Sequence, residues 1–269
     1  MAFDLNNFVI DRIVRGVALS QKDDSVLFSI NQIQNASLNC ASESTDAVDA
    51  MGTPIATFYR AKTAEFSAEN ALFDMNLMAT QLGTAKKVAS GTSKIVVPAM
   101  ESFTVAEGGK YTLKHKAVAA PAEIYAINDD STFGVKYKKS KTTATSATEF
   151  VYTDTDNSLT LPTGLKAGTE MFVMYEYESE DAVEVVNSAK NFPVGCKFIM
   201  EVLGCDVCDQ TNLIYAYVIF NNAKLSPDFD WSIATDGSHP FSMKAQQDYC
   251  DKEKRLFSIV IPGGQEDEE

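Results

Sequence analysis

Apolar and β-branched positions gather in short runs along this chain, and polar turn residues separate the runs. The first two are Phe8-Val-Ile-Asp-Arg-Ile-Val-Arg-Gly-Val-Ala-Leu-Ser20 and Asp24-Ser-Val-Leu-Phe-Ser-Ile-Asn-Gln-Ile-Gln34. The turn Gln21-Lys-Asp-Asp24 lies between them, so the pattern predicts two strands joined as a hairpin. The acidic stretch from Glu43 to Gly52 reads as a loop. From Pro54 to Phe66 the chain runs without another turn signal, which predicts one long strand.

At Ser67 the period changes. Phe66, Phe73 and Leu77, with Met75, Met78 and Leu82, recur at spacings near three, four and seven, the pattern of one helix face. Ser67 is a good N-cap, Glu69 suits the positive end of the helix dipole, and Gly83 falls where a C′ glycine ends a helix. The spacing therefore predicts one helix over 68–82. A connector at 84–93 leads to seven predicted strands, at 94–104, 110–118, 122–128, 134–139, 148–153, 157–162 and 170–179. Glu107-Gly-Gly109, Asn128-Asp-Asp-Ser131, Asp154-Thr-Asp-Asn157 and Pro162-Thr-Gly164 are among the turns between them. Short strands with turns at about this interval are the signature of an immunoglobulin-like sandwich. The block lacks the paired cysteines and the tryptophan of antibody domains, so the likeness is architectural.

Strong strand patterns resume at 196–203, 212–220, 229–234, 241–248 and 255–261, and the chain closes in Pro-Gly-Gly-Gln-Glu-Asp-Glu-Glu269. The expected fold is mainly β. Residues 1–91 and 188–269 form a discontinuous core, and 92–187 is inserted as a second β module. Two sequential β domains is the alternative arrangement.

Composition narrows the function. Hydrophobic residues make up 45% of the chain, enough for a sizeable core. The formal net charge of -14 opposes nucleic-acid binding, which needs clustered Lys and Arg against phosphate. The N-terminus has no basic region followed by an apolar run, and no window approaches a membrane span. A reducing cytoplasm is the expected site of synthesis, with Cys40, Cys196, Cys205, Cys208 and Cys250 as free thiols.

Candidate chemistry is sparse. Only His115 and His239 could serve as a histidine base. His115 alternates with lysines and reads as a solvated residue. His239 follows Ser238 in a turn, where adjacent side chains seldom meet as nucleophile and base. Cys205-Asp-Val-Cys208 has the spacing of half a zinc site, and Cys250, with Cys196 or His239, is what could complete it. Two buried thiols flanking a tight turn is the plainer reading. Asp154-Thr-Asp-Asn157 lacks the glycine and closing glutamate of a calcium loop, so a hairpin turn is expected there. The glycine pairs lack phosphate-loop spacing. No enzyme activity and no cofactor are expected.

Three stretches resemble bacteriophage tail tube (major tail) proteins. They are the N-terminal β segment with Ser44-Thr-Asp-Ala-Val-Asp-Ala-Met-Gly-Thr-Pro-Ile-Ala56, the passage Ala64-Glu-Phe-Ser-Ala-Glu-Asn-Ala-Leu-Phe73, and the run from Phe192 through Ile219-Phe-Asn-Asn-Ala-Lys-Leu225 to Phe241-Ser-Met-Lys-Ala-Gln-Gln-Asp-Tyr-Cys250. Together they cover about two-thirds of the chain. The resemblance implies a tube-type β-sandwich or barrel core carrying an inserted immunoglobulin-like module. It further implies hexameric rings stacked into a hollow virion tail tube, assembled in the host cytoplasm, through which DNA passes without binding. The partners it implies are further copies of the chain and other tail proteins (tape measure, terminator, sheath), with no membrane. On this reading Asp46, Asp49, Met51 and Thr53 are the candidate inter-subunit contacts. A head-decoration or adhesin protein that binds through the inserted module is the alternative, with Tyr125, Phe133, Tyr137 and Tyr152 as a carbohydrate platform.

Overall fold

The computed structural model describes residues 7–249 and 252–262 and is mainly β with one short helix. In chain order it begins with β1 (Phe8–Ser20), β2 (Val26–Ile30), β3 (Ile33–Val48), β4 (Pro54–Asn70), α1 (Met75–Gln81) and β5 (Lys87–Val88). Next come β6 (Ile95–Thr104), β7 (Lys110–Thr112), β8 (Glu123–Ile127), β9 (Phe133–Lys139), β10 (Glu149–Thr153), β11 (Ser158–Thr160) and β12 (Glu170–Ser179). The last are β13 (Val183–Glu184), β14 (Gly195–Asp206), β15 (Asp209–Leu225), β16 (His239–Ala245) and β17 (Ser258–Val260). The chain divides into two compact units, Met1–Lys86 with Val185–Glu269, and Lys87–Glu184.

In the first unit a half-barrel sheet runs in the order β2-β1-β14-β15-β16-β4-β3, with β17 added beside β15. Its concave face closes on five phenylalanines from five strands. Phe28, Phe66, Phe220 and Phe241 surround Phe198 at ring-centroid distances of 5.9 to 6.3 Å. Gly16 belongs to this packing, because a Cβ there would come within 2.8 Å of the Phe198 ring. On β14, Arg15 Nε of β1 donates to the buried Glu201 at 2.6 Å, and the Tyr217 hydroxyl of β15 donates to the same carboxylate at 3.3 Å.

The helix is shorter than the sequence predicts. Its N-cap is Asp74, whose carboxylate accepts from Leu77 N–H at 2.7 Å. Ser67 lies instead inside β4, where Ala64, Phe66, Ala68 and Asn70 are buried in strict alternation. That period of two was hidden because Phe66, Phe73 and Leu77 also fit a helical spacing, and β4 gains its last turn of sequence by pairing with β16 from Glu65 to Asn70.

The second unit has its own core. The strand path β6-β12-β8-β9-β10-β11-β7 wraps around Phe103, Ile124, Phe150, Leu159, Met171 and Val173. Its two ends meet across that core: Phe103 of β6 stacks on Tyr111 of β7 at 3.8 Å. The predicted strand at 110–118 ends at Thr112, and its continuation is irregular chain held by the Asn157 side chain.

Candidate assembly surface

β3 and β4 pair antiparallel from Ile33/Asn70 to Val48/Pro54. The inner part of this hairpin belongs to the half-barrel. The outer part does not, since every residue from Asn39 to Thr63 is exposed. The boundary coincides with a bulge. Ala41 pairs with Thr63 and Glu43 with Arg60, so Ser42 faces both Ala61 and Lys62. Ala61 adopts φ 47, the left-handed conformation that such a bulge usually gives to glycine. Beyond the bulge the two strands stand free as an arm.

The arm is apolar where a solvated hairpin would be polar. Val48, Met51, Ile55, Phe58 and Tyr59 are all among its exposed side chains, Met51 at 91%. Cross-strand alternation places Phe58 opposite Thr45 and Tyr59 opposite Ser44, so each face of the ribbon carries an aromatic ring. An isolated two-stranded hairpin is marginal in water, and large exposed apolar surfaces mark interaction sites.

The four predicted contact residues fall on this arm. The acidic stretch expected as a loop is strand as far as Val48, so Asp46 sits on β3 opposite Thr57. Asp49, Met51 and Thr53 form the turn at the tip. Asp49 Oδ1 accepts from Thr53 N–H at 2.9 Å and Met51 N–H at 2.8 Å, and Gly52 supplies the positive φ of 83. Those two backbone donors, Thr53 first, hold the Asp49 carboxyl below its ordinary range. The tip is thus a hydrogen-bonded, anionic turn. The sequence did not single out Ile55, Phe58 and Tyr59, which read as ordinary strand residues until their exposure is known.

A second unfinished feature lies at the other end of the sheet. β2 pairs only with Gly16–Leu19 of β1. Among the described residues, no strand covers the outer edge of β1 from Phe8 to Arg15, where Val9 and Ile10 are exposed. Bare edges of this kind invite pairing with another chain.

The remaining candidates do not come together. Cys205 is half-buried on β14 and Cys208 exposed in the turn after it, while Cys250 lies outside the described residues. Among the described residues, no group of three His, Cys, Asp or Glu side chains could hold a metal. Cys196 is fully buried, and burial pushes its thiol up to about 11. His115 is exposed and stacks on Tyr177 at 4.0 Å. His239, expected in a turn, is the first residue of β16 and fully buried. Its Nε2 lies 2.9 Å from Gln81 Oε1, and Ser238 Oγ bonds Glu69 rather than the imidazole. In the second unit, Tyr125, Phe133 and Phe172 cluster on the open sheet face with centroids at 5.5 and 4.9 Å. Tyr137 and Tyr152 pack against the core instead.

A half-barrel with an uncovered edge on β1 and a projecting apolar arm is a β fold that leaves surface for other chains to cover. Residues 8–256 match the model of the YomU/Tube protein family, and the chain belongs to that family. It is a phage-derived, tube-type structural protein. Comparison with curated proteins gives no match. Among the described residues, no helix is long and apolar enough to cross a membrane.

Proposed function

We propose that this chain polymerises as stacked hexameric rings into the tube of a phage tail, forming an acidic conduit for DNA, and has no catalytic role. The observation that carries this reading is the arm. A ribbon of two strands with apolar side chains on both faces is held in water only when other chains cover it. Family membership supplies copies of the chain as those partners. The bare edge of β1 offers a second, in-plane contact, which extends the sheet across a subunit boundary. Unlike surfaces meeting in this way form rings where the rotation closes and stacks where it does not. The net charge of -14 favours a wall that repels phosphate, so DNA slides without binding.

The inserted unit is on this reading an immunoglobulin-like appendage, and the tape-measure, terminator and sheath proteins are the other tail partners. The aromatic cluster of Tyr125, Phe133 and Phe172 favours one alternative, a decoration or adhesin protein that binds through this unit. Negative-stain microscopy of the concentrated protein separates the two. Rings or tubes support the tube reading, and discrete monomers or trimers overturn it.

A further inference from the structure

We infer that the tip of the arm seats in a pocket at the root of the same arm on a second copy of the chain. This rests on the assembly reading above and names the receptor for the arm. The pocket has a volume of about 320 Å3 and lies where the arm leaves the half-barrel. Cys40, Ala41, Thr63 and Ala64 form one wall, and Leu256 and Phe257 of the C-terminal segment form the other. Phe257 packs on Phe220 at 5.8 Å, so one wall is fixed to the core. The pocket is mainly apolar, with Ser42 and Lys62 also in its lining, and is open and roomy enough to take a methionine side chain.

The tip carries such a side chain. Met51 is the most exposed large hydrophobic residue described, at 91%, and its backbone N–H is held by the Asp49 carboxylate. An unbranched thioether fits an irregular slot and makes favourable contacts at the edge of an aromatic ring, here Phe257. The turn fixes the backbone at Met51, so only its side-chain rotamers remain to be ordered on binding.

Charge points the same way. Asp46 and Asp49 make the outer end of the arm anionic, and Arg60 and Lys62, against the single Glu43 opposite Arg60, leave its root net cationic. Neither Arg60 nor Lys62 forms an ion pair among the described residues. A tip laid on a root brings the two sets together, which favours that register over a tip-to-tip contact.

Reach excludes the chain's own root. Tip and root stand at opposite ends of one extended hairpin, and twelve residues from Met51 to Thr63 span about 40 Å at 3.3 Å each. A folded unit of this size is also about 40 Å across. The arm therefore reaches one neighbour, and every copy offers both a tip and a root, a head-to-tail contact that propagates.

Native Cys40 makes the contact testable. Met51→Cys would place a thiol at the tip beside the neighbour's Cys40. Oxidation of assembled Met51→Cys protein with copper phenanthroline should give a ladder of covalent multimers on a non-reducing gel. The ladder should be absent from wild type and from the Met51→Cys/Cys40→Ser double variant. Separately, Asp46→Lys and Lys62→Glu should each slow assembly at least tenfold, and the double variant should recover most of the rate. Assembled Met51→Cys tubes without a ladder, or a ladder that survives Cys40→Ser, overturn the root pocket while leaving the arm reading intact. Failure of the charge swap to restore assembly overturns it as well, and decides the matter if Met51→Cys does not assemble. Normal assembly of a chain whose arm is removed overturns both readings.

Discussion

Phe58 and Phe66 lie on the same strand, the first 56% exposed and the second 2% exposed. Ala61 stands between them, at the bulge where β4 leaves the core. The two rings should therefore behave as opposites. Phe66→Ala opens a cavity beside Phe198, Phe220 and Phe241 and should cost about 3–5 kcal/mol in urea unfolding of the monomer. Phe58→Ala should leave monomer stability within about 0.5 kcal/mol, and should instead impair assembly.

Asn157 holds the second unit's irregular segment. In the left-handed conformation at φ 53, its Nδ2 donates to the carbonyls of Leu113 at 2.9 Å and His115 at 2.7 Å. Its Oδ1 accepts from the Tyr152 hydroxyl at 3.0 Å and Ala117 N–H at 3.3 Å. Asn157→Ala loses these bonds and keeps an unfavourable φ, so it should destabilise the unit by about 3 kcal/mol or more. Asn157→Gly removes the same bonds without the strain and should cost less. Thermal unfolding of the three proteins gives the ranking.

The buried Glu101 carboxylate accepts from the hydroxyls of Tyr111, at 2.8 Å, and Tyr175, and from Lys114 N–H at 3.2 Å. Tyr175→Phe removes its charge-assisted bond and the one its hydroxyl accepts from His115 N–H at 3.0 Å, and should cost about 1.5–3 kcal/mol. Burial, with the Glu101 bond second, pushes Tyr111 up to about 12 and Tyr175 further in the same direction. Both phenols stay neutral in the folded chain after the unfolded chain begins to ionise. Stability from this site should be intact below pH 10 and fall as pH rises from there toward 12. Ultraviolet titration of phenolate should show one late tyrosine fewer in Tyr175→Phe than in wild type.

His239 gives a dependence at the acid end. The Gln81 amide donates through Nε2 to the Pro240 carbonyl at 3.1 Å, so its Oε1 accepts from His239 Nε2. His239 Nδ1 then accepts from Asp74 N–H at 3.4 Å. Burial holds the imidazole below its ordinary value, and the nearby Asp74 carboxylate only partly opposes this. The unfolded chain takes up a proton near pH 6.5 that the folded chain refuses, so stability should fall as pH drops below 6.5. The urea midpoint should decline from pH 7 to pH 5 in wild type and less steeply in His239→Gln.

Much of the fold was legible in the sequence. Six of the seven short strands in the second unit fall close to where turn residues and β-branched runs put them, because each is bounded by Gly, Asn or Asp. The start of α1 was not legible, since Phe66, Phe73 and Leu77 fit a helical spacing and pairing with β16 and β3 makes the stretch up to Asn70 a strand. Nor was the outer half of β3, where Ser42 to Ala47 has weak strand propensity and is strand only through its partner β4. The same applies to the surface. Asp46, Asp49, Met51 and Thr53 could be picked out as an acidic, punctuated stretch, whereas Phe58 and Tyr59 look like core residues in any one-dimensional pattern. Their exposure is a tertiary fact.

The most direct test replaces residues 44–59 with an Asn-Gly turn, leaving the bulge and the half-barrel intact. Sedimentation velocity and negative-stain microscopy would then compare it with wild type at matched concentration. The account predicts a folded, wild-type-like circular dichroism spectrum and no tubes at any concentration, while wild type polymerises. Tubes of normal length from the shortened chain would contradict it.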